Sequence, residues 1–248
     1  MQDTRPTLHN RQAFEEALAA YQVSDRAREV LSKTPLVVLN GVAGGGRNTV
    51  INYLVEHYNY SFIVSDTTRP PKLRDGKMEV DGVNYFFRSE HEMLAEIQNG
   101  EFIEAELIHN QQVSGTSIRE IERIVAEGKI PIGENEFGGV NAIAEAKHDT
   151  TVIGLLPPSY EEWMRRLSGR EEMSEQELVG RLQTAEKVLE NMLSKSYFQF
   201  VINNTVEQAA EDIRYIVEHP GQNRESDYAR SVAGDILAQV KEVLATKQ

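Results

Sequence analysis

The stretch Leu36-Val37-Val38-Leu39-Asn40-Gly41-Val42-Ala43-Gly44-Gly45-Gly46-Arg47-Asn48-Thr49-Val50 decides how the chain is read. Four consecutive apolar residues suit a strand covered on both faces, and residues 49–58, with Val50, Tyr53 and Leu54 on one face, suit a helix. Between them lies a glycine cluster. A loop joining a buried strand to a helix is where main-chain N–H groups and the positive helix end wrap a triphosphate, so Gly41, Val42, Ala43, Gly44, Gly45, Gly46, Arg47, Asn48 and Thr49 form a candidate ATP site. The spacing is that of a P-loop, with two departures. The usual Lys is Arg47, which keeps the charge on a broad planar fork, and the next position holds Asn48, with the hydroxyl of Thr49 one place later. Asn48 or Thr49 is the candidate ligand for the Mg²⁺ that accompanies ATP.

Outward from this segment, strand and helix patterns alternate. Residues 8–33 read as one or two helices: Asn10 can cap a run carrying Phe14, Leu18 and Tyr21, and Ser24 or Asp25 can cap a second with Ala27 and Leu31. Residues 62–64 and 83–87 have strand character on either side of a polar segment, 65–81, that holds Pro70, Pro71 and Gly76. Ser89 with Glu92, Ser159 with Glu162 and Ser174 with Glu177 have capping-box spacing, and each opens a helix. Residues 102–108, 130–132, 151–156 and 197–202 read as strands, and 117–127, 140–146 and 206–217 as helices. Residues 219–225 read as a linker, followed by a helix over 228–244 whose Val232, Ile236, Val240 and Leu244 stripe packs on the domain or on a second copy. Such alternation predicts an α/β fold with helices on both faces of a mostly parallel sheet, and ligands at the C-terminal strand ends.

Composition narrows the function. The chain of 248 residues has 26 Lys and Arg against 39 Asp and Glu, a net charge of −13 that repels a phosphate backbone and disfavours nucleic acid as a partner. Any phosphate pocket must be built locally from a few arginines. There is no cysteine, which excludes disulfides, thiolate metal sites and a cysteine nucleophile, and fits a reducing cytoplasm. The apolar runs fall well short of the roughly 20 residues a membrane-spanning helix needs, and residues 1–10 lack a signal-peptide layout. No membrane partner is expected. The histidines are scattered without ligand spacing.

A second set of motifs follows in one order. Ser65-Asp66-Thr67-Thr68-Arg69-Pro70-Pro71 precedes Glu79-Val80-Asp81-Gly82-Val83-Asn84-Tyr85-Phe86-Phe87, then Phe102-Ile103-Glu104-Ala105, then Ser114-Gly115-Thr116, and later Pro157-Pro158-Ser159 leads into an arginine-bearing stretch. This order resembles that of guanylate kinases, whose patterns are STTRxxR, ExxGxxYxF, FIEWA, YGTS and a PPS-led helix into a lid. The resemblance covers residues 35–215 and leaves both terminal segments outside. It implies a P-loop three-layer α/β/α core at 34–218, with a small mixed-sheet NMP-binding subdomain near 65–116 and a helical lid near 169–180. Residues 1–33 are then a helical extension, and 219–248 a linker and C-terminal helix.

By the same resemblance, Arg69 and Tyr85 hold the phosphate of GMP, a pairing that planar guanidinium chemistry suits. Lys72 occupies the direct spacing for a second phosphate arginine, but extra residues before Gly82 leave Arg74 equally placed for that role. Ser114 stands where the family has a further phosphate tyrosine. Glu104 matches the carboxylate that accepts from guanine N1–H and N2–H₂, and Ser65 and Thr116 match hydroxyls lining the base pocket. Adenine would set a lone pair against that carboxylate, so guanine is favoured. Glu136, in Glu134-Asn135-Glu136-Phe137-Gly138-Gly139, matches an aspartate that contacts the nucleotide. Of Arg165, Arg166, Arg170 and Arg181, which surround the lid, Arg165 reads as paired with nearby glutamates, while Arg170 and Arg181 read with Arg47 as catalytic.

Two readings follow. One is an ATP- and Mg²⁺-dependent kinase converting GMP to GDP. The other is a guanylate kinase-like module that keeps the acceptor pocket for GMP or a phosphorylated partner and has lost turnover through its altered loop. A homodimer through the terminal helices is compatible with either.

Overall fold

The computed structural model describes residues 8–74, 76–108, 110–169, 173–222 and 226–247. In chain order, helices α1 (Arg11–Ala19) and α2 (Asp25–Ser32) precede strand β1 (Val37–Asn40), and the glycine loop leads into α3 (Arg47–His57). Next come β2 (Tyr60–Phe62), β3 (Asp66–Thr67), β4 (Leu73–Arg74), β5 (Lys77–Met78), β6 (Phe86–Phe87), α4 (Glu90–Gln98), β7 (Phe102–Ile108), β8 (Gln112–Ser117) and α5 (Ile118–Ala126). The remainder is β9 (Ile130–Glu134), α6 (Phe137–Ala146), β10 (Thr151–Leu156), α7 (Tyr160–Ser168), α8 (Glu175–Ser194), β11 (Phe198–Ile202), α9 (Val206–Glu218) and α10 (Ser226–Thr246).

The chain divides into two compact units. One contains residues 37–60, 132–140 and 150–248 and carries the glycine loop. Its sheet has the order β11-β10-β1-β9-β2. β1 runs parallel to β10, with Val37 opposite Thr151, and parallel to β9, with Val37 opposite Ile132. β10 and β11 are also parallel. All four residues of β1 are buried, which is why its sequence is a continuous apolar run ending in Asn40 and not an alternation. The Val232, Ile236, Val240 and Leu244 stripe of α10 is buried within this unit, whose α10 packs on α8 and β11. That face is therefore already used inside the chain.

The other unit contains the residues up to Leu36 together with 61–131 and 141–149. Its four-stranded sheet, β6-β3-β8-β7, is mixed: β3 is parallel to β6, and β8 is antiparallel to both β3 and β7. Residues 8–33, read from sequence as an extension, belong to this body. Leu8 and Phe14 share a core cluster with Met93 and Ile97 of α4, Phe102 of β7 and Val113 of β8. Ser24 caps α2 by accepting from Ala27 N, whereas Asn10 makes no side-chain cap.

The strand expected over 83–87 shrinks to Phe86–Phe87, because Gly82 N–H donates to the Tyr85 carbonyl at 2.9 Å and Val80 N–H to Asn84 Oδ1 at 2.8 Å, closing a turn. The polar segment 65–81 holds β3 and the β4–β5 hairpin, and β8 occupies a stretch with no expected strand. The expected capping box at Ser89 and Glu92 forms reciprocally. Phe14 is fully buried, so Phe14→Ala should cost about 3–5 kcal/mol. A urea titration checks this; an unchanged midpoint would show that α1 is only an appendage.

Candidate active site

The loop after β1 is held open from behind. Trp163 of α7 donates its indole N–H to the Ala43 carbonyl at 2.8 Å, and Asn203, just past β11, donates from Nδ2 to the Gly45 carbonyl at 2.9 Å. Gly46 precedes α3 with φ 95°, and a Cβ there would lie 2.3 Å from Asn203 Nδ2. A side chain at 46 would therefore meet both a left-handed backbone and a buried amide. The loop, closed by Gly45 N–H donating to the Val42 carbonyl at 3.0 Å, thus leads into the N-terminus of α3, the layout that suits an anion.

Glu134, at the end of β9, occupies the neighbourhood of the two divergent positions. Its Oε2 lies 3.4 Å from Arg47 Nε, and Asn48, with its amide nitrogen turned toward it, donates to both oxygens at 2.9 and 2.8 Å. The carboxylate holds Arg47 by one edge of its fork. Two cavities flank the loop. One, of about 390 Å³, is lined by Gly44, Gly46, Thr49, Arg166, Asn203 and Thr205 among others. The second, of about 360 Å³, is lined by Gly41, Val42, Ala43, Arg47, Glu136 and Arg181 among others. Arg181 has a loose pair with Glu177 at 3.8 Å. Arg165 is paired with Glu162 at 2.6 Å, as the sequence suggested, and hydrogen bonds from Arg165 and then Arg166 pull the Glu162 carboxyl down to about 2. Arg166 also donates to the Asn203 carbonyl at 3.0 Å, which ties it to the loop support. Arg170 lies outside the described residues. Of the expected lid, Gly169 and residues 173–180 are described and include the first turns of α8, whose N-cap Ser174 accepts from Glu177 N.

The residues expected to bind GMP lie in the other unit, except Glu136, which belongs to the unit of the glycine loop. Glu104 on β7 is 7% exposed, and its Oε1 accepts from the Thr116 hydroxyl of β8 at 2.8 Å. Gly115 is obligatory beside it, since a Cβ would come within 2.6 Å of the Glu104 carbonyl. Arg69 follows β3 and is buried against Glu79, with distances of 2.5 and 3.0 Å. Its guanidinium carbon lies 4.6 Å from the centre of the Tyr85 ring, in cation–π contact. Lys72 is exposed, and its main-chain N–H donates to Glu79 at 3.0 Å; Arg74 pairs through its backbone with Lys77, while its side chain lies outside the described part. Ser65 accepts through its carbonyl from Phe86 N, and Ser114 donates its hydroxyl to Thr67 at 2.8 Å.

Sequence reasoning missed Glu134, Asn203, Trp163 and Arg166 as partners of the loop, and Glu79 as the partner of Arg69. Glu134, Glu79 and Arg166 stand in segments the sequence singles out, whereas Asn203 and Trp163 carry no such signal. Asp66 was missed as well. It is fully buried, with Arg119 at 2.6 Å, and its carboxyl is pushed up by burial against the pull of Arg119 and Arg88. Because Trp163 is the sole tryptophan and binds the loop directly, its emission should shift when a nucleoside triphosphate is added. Gly46→Ala should abolish that shift; a titration identical to the unsubstituted chain would show that the loop does not hold phosphate.

Comparison with known proteins bears on the same residues. A family model described as guanylate kinase matches residues 33–220. The guanylate kinase of Halalkalibacterium halodurans is 38% identical over 193 residues, which is 76% of this chain and 91% of the relative. That of Bifidobacterium longum is 35% identical over 187 residues, 73% of this chain and 92% of the relative. The crystal structure of guanylate kinase from Anaplasma phagocytophilum superimposes with a TM-score of 0.55 at 25% identity, over 78% of this chain and 89% of that one. A match of this breadth, from before β1 to beyond α9, settles the relationship: the chain belongs to the guanylate kinase family.

Proposed function

We infer that this chain is an active guanylate kinase that moves the γ-phosphoryl group of ATP onto GMP, giving ADP and GDP. The observation that carries the reading is Glu104, a buried carboxylate oriented by Thr116 and suited to the donor edge of guanine. A phosphate oxygen of GMP attacks the γ-phosphorus as the bond to the β–γ bridging oxygen of ATP breaks, and ADP leaves. The protein's part is positioning and charge neutralisation. The loop amides receive the donor phosphates, with the free edge of the Arg47 fork and Arg181 supplying positive charge. Arg69 and Tyr85 receive the acceptor phosphate, with Lys72 or Arg74 beside them, and Ser65 and Thr116 line the base pocket. Glu136 shares the cavity of Arg47 and Arg181, and we assign it to the nucleotide site.

Mg²⁺ fits this donor set. An ion that arrives with ATP is carried mainly by phosphates and water and asks few oxygens of the protein. Asn48 through its amide oxygen, or Thr49 through its hydroxyl, would provide a protein oxygen, and the ion would neutralise charge on the β- and γ-phosphates. Among the described residues no helix is long and apolar enough to cross a membrane. We place the enzyme in the cytoplasm, where both nucleotides are available, on the strength of its cysteine-free composition.

ADP formation should therefore require GMP, with AMP no better than no acceptor. Glu104→Gln should lower kcat/KM for GMP by about 10- to 100-fold, the equivalent of a charged hydrogen bond worth about 1.5–3 kcal/mol. Tight GMP binding without turnover would favour the module instead. Because Glu134 and Asn48 are arranged around the fork of residue 47, Arg47→Lys should reduce kcat/KM for ATP about tenfold. A gain in rate would show that the loop is impaired.

A further inference from the structure

Tyr21 stands between α1 and α2, ahead of the residues matched by the family model. Its hydroxyl serves both main-chain groups of one residue in the acceptor sheet. Phe102 N–H donates to it at 2.9 Å, and it donates in turn to the Phe102 carbonyl. A phenylalanine could do neither.

Phe102 is where the ladder between β7 and β8 changes register. Phe102 lies opposite Ser117, yet Glu104, two places on, lies opposite Thr116, one place back. Ile103 is thus the extra residue of a β-bulge, and a bulge re-aims the side chains that follow it. In an unbroken ladder Ile103 would stand opposite Thr116, and Glu104 would be turned to the opposite face. The hydrogen bond from Thr116 to Glu104 depends on that single step. Neighbouring contacts fasten the same strand entrance. Ser24 N–H donates to the Gly100 carbonyl at 3.0 Å, and Arg26 pairs with Glu101 and Glu122, each at 2.6 Å. The phenol is half-buried, and burial pushes it up to about 12, so it keeps the proton it donates.

We propose that Tyr21 is a positioning residue for guanine recognition: by fixing the bulge at Phe102 it sets the direction of Glu104 and tunes base selectivity without touching the nucleotide. The inference rests on Glu104 being the guanine carboxylate. It makes the segment before the family-matched residues part of the acceptor site.

The test is steady-state kinetics of the full chain with GMP and with IMP, which keeps N1–H but lacks the 2-amino group, for Tyr21→Phe, Glu104→Gln and the double variant. Tyr21→Phe keeps the ring that packs on the Phe14 cluster, so folding is preserved, and a thermal midpoint checks this. It should raise KM for GMP about tenfold and cut the preference for GMP over IMP about fivefold, with kcat and KM for ATP within about twofold. In the Glu104→Gln background the tyrosine change should have no further effect. Two results overturn the proposal while leaving the carboxylate reading intact: an unchanged GMP-to-IMP ratio in Tyr21→Phe, or effects that multiply in the double variant. If Glu104→Gln itself leaves the ratio unchanged, the carboxylate reading fails, and the role of Tyr21 fails with it.

Discussion

The buried amide of Asn203 sets the constraint on which the donor site depends. It grips the Gly45 carbonyl at 2.9 Å and stands where any Cβ at position 46 would have to go. A buried polar group must be satisfied, and this one is satisfied by the loop itself. The loop therefore keeps its shape, closed further by Gly45 N–H donating to the Val42 carbonyl at 3.0 Å. Trp163 adds a second tether at Ala43, so two elements distant in sequence hold the same turn. The glycines are required by close approach as much as by conformational freedom.

Within that frame the changes at Arg47 and Asn48 are accommodated together. A lone arginine in place of lysine would bring a wide fork into a space suited to a compact ammonium. Glu134 accepts one edge of that fork and also the amide of Asn48, so a single carboxylate orders both unusual residues. On the acceptor side an analogous economy holds: Glu79 orders Arg69 over the Tyr85 ring, and Thr116 orders Glu104. In a chain with a net charge of −13, Arg47 and Arg69 are each oriented by a neighbouring carboxylate, Glu134 and Glu79.

Legibility in the sequence followed hydropathy. The strands at Val37–Asn40 and Thr151–Leu156 are buried on both faces and stood out as apolar runs, and the glycine loop between β1 and α3 was readable from spacing. β3 and β8 were not, since Asp66, Thr67, Gly115 and Thr116 are buried polar or small residues, and their hydrogen bonds, with that of Ser114, come from the fold. Glu104 and Thr116 could be named from motif order, but not the bulge that brings them opposite each other, because register is a tertiary property. Glu134, Asn203 and Trp163 escaped notice for a related reason: a side chain that supports a distant loop leaves no local pattern.

If the loop with its arginine is a working donor cradle and Glu104 reads guanine, a crystal structure with GMP and a non-hydrolysable MgATP analogue will hold donor phosphates in the 41–49 loop, the terminal nitrogens of Arg47 on those phosphates with Nε still beside Glu134, and the guanine edge on Glu104. An Arg47 fork turned wholly onto Glu134 with no phosphate in the loop, or a base lying away from Glu104, would mean that neither role holds.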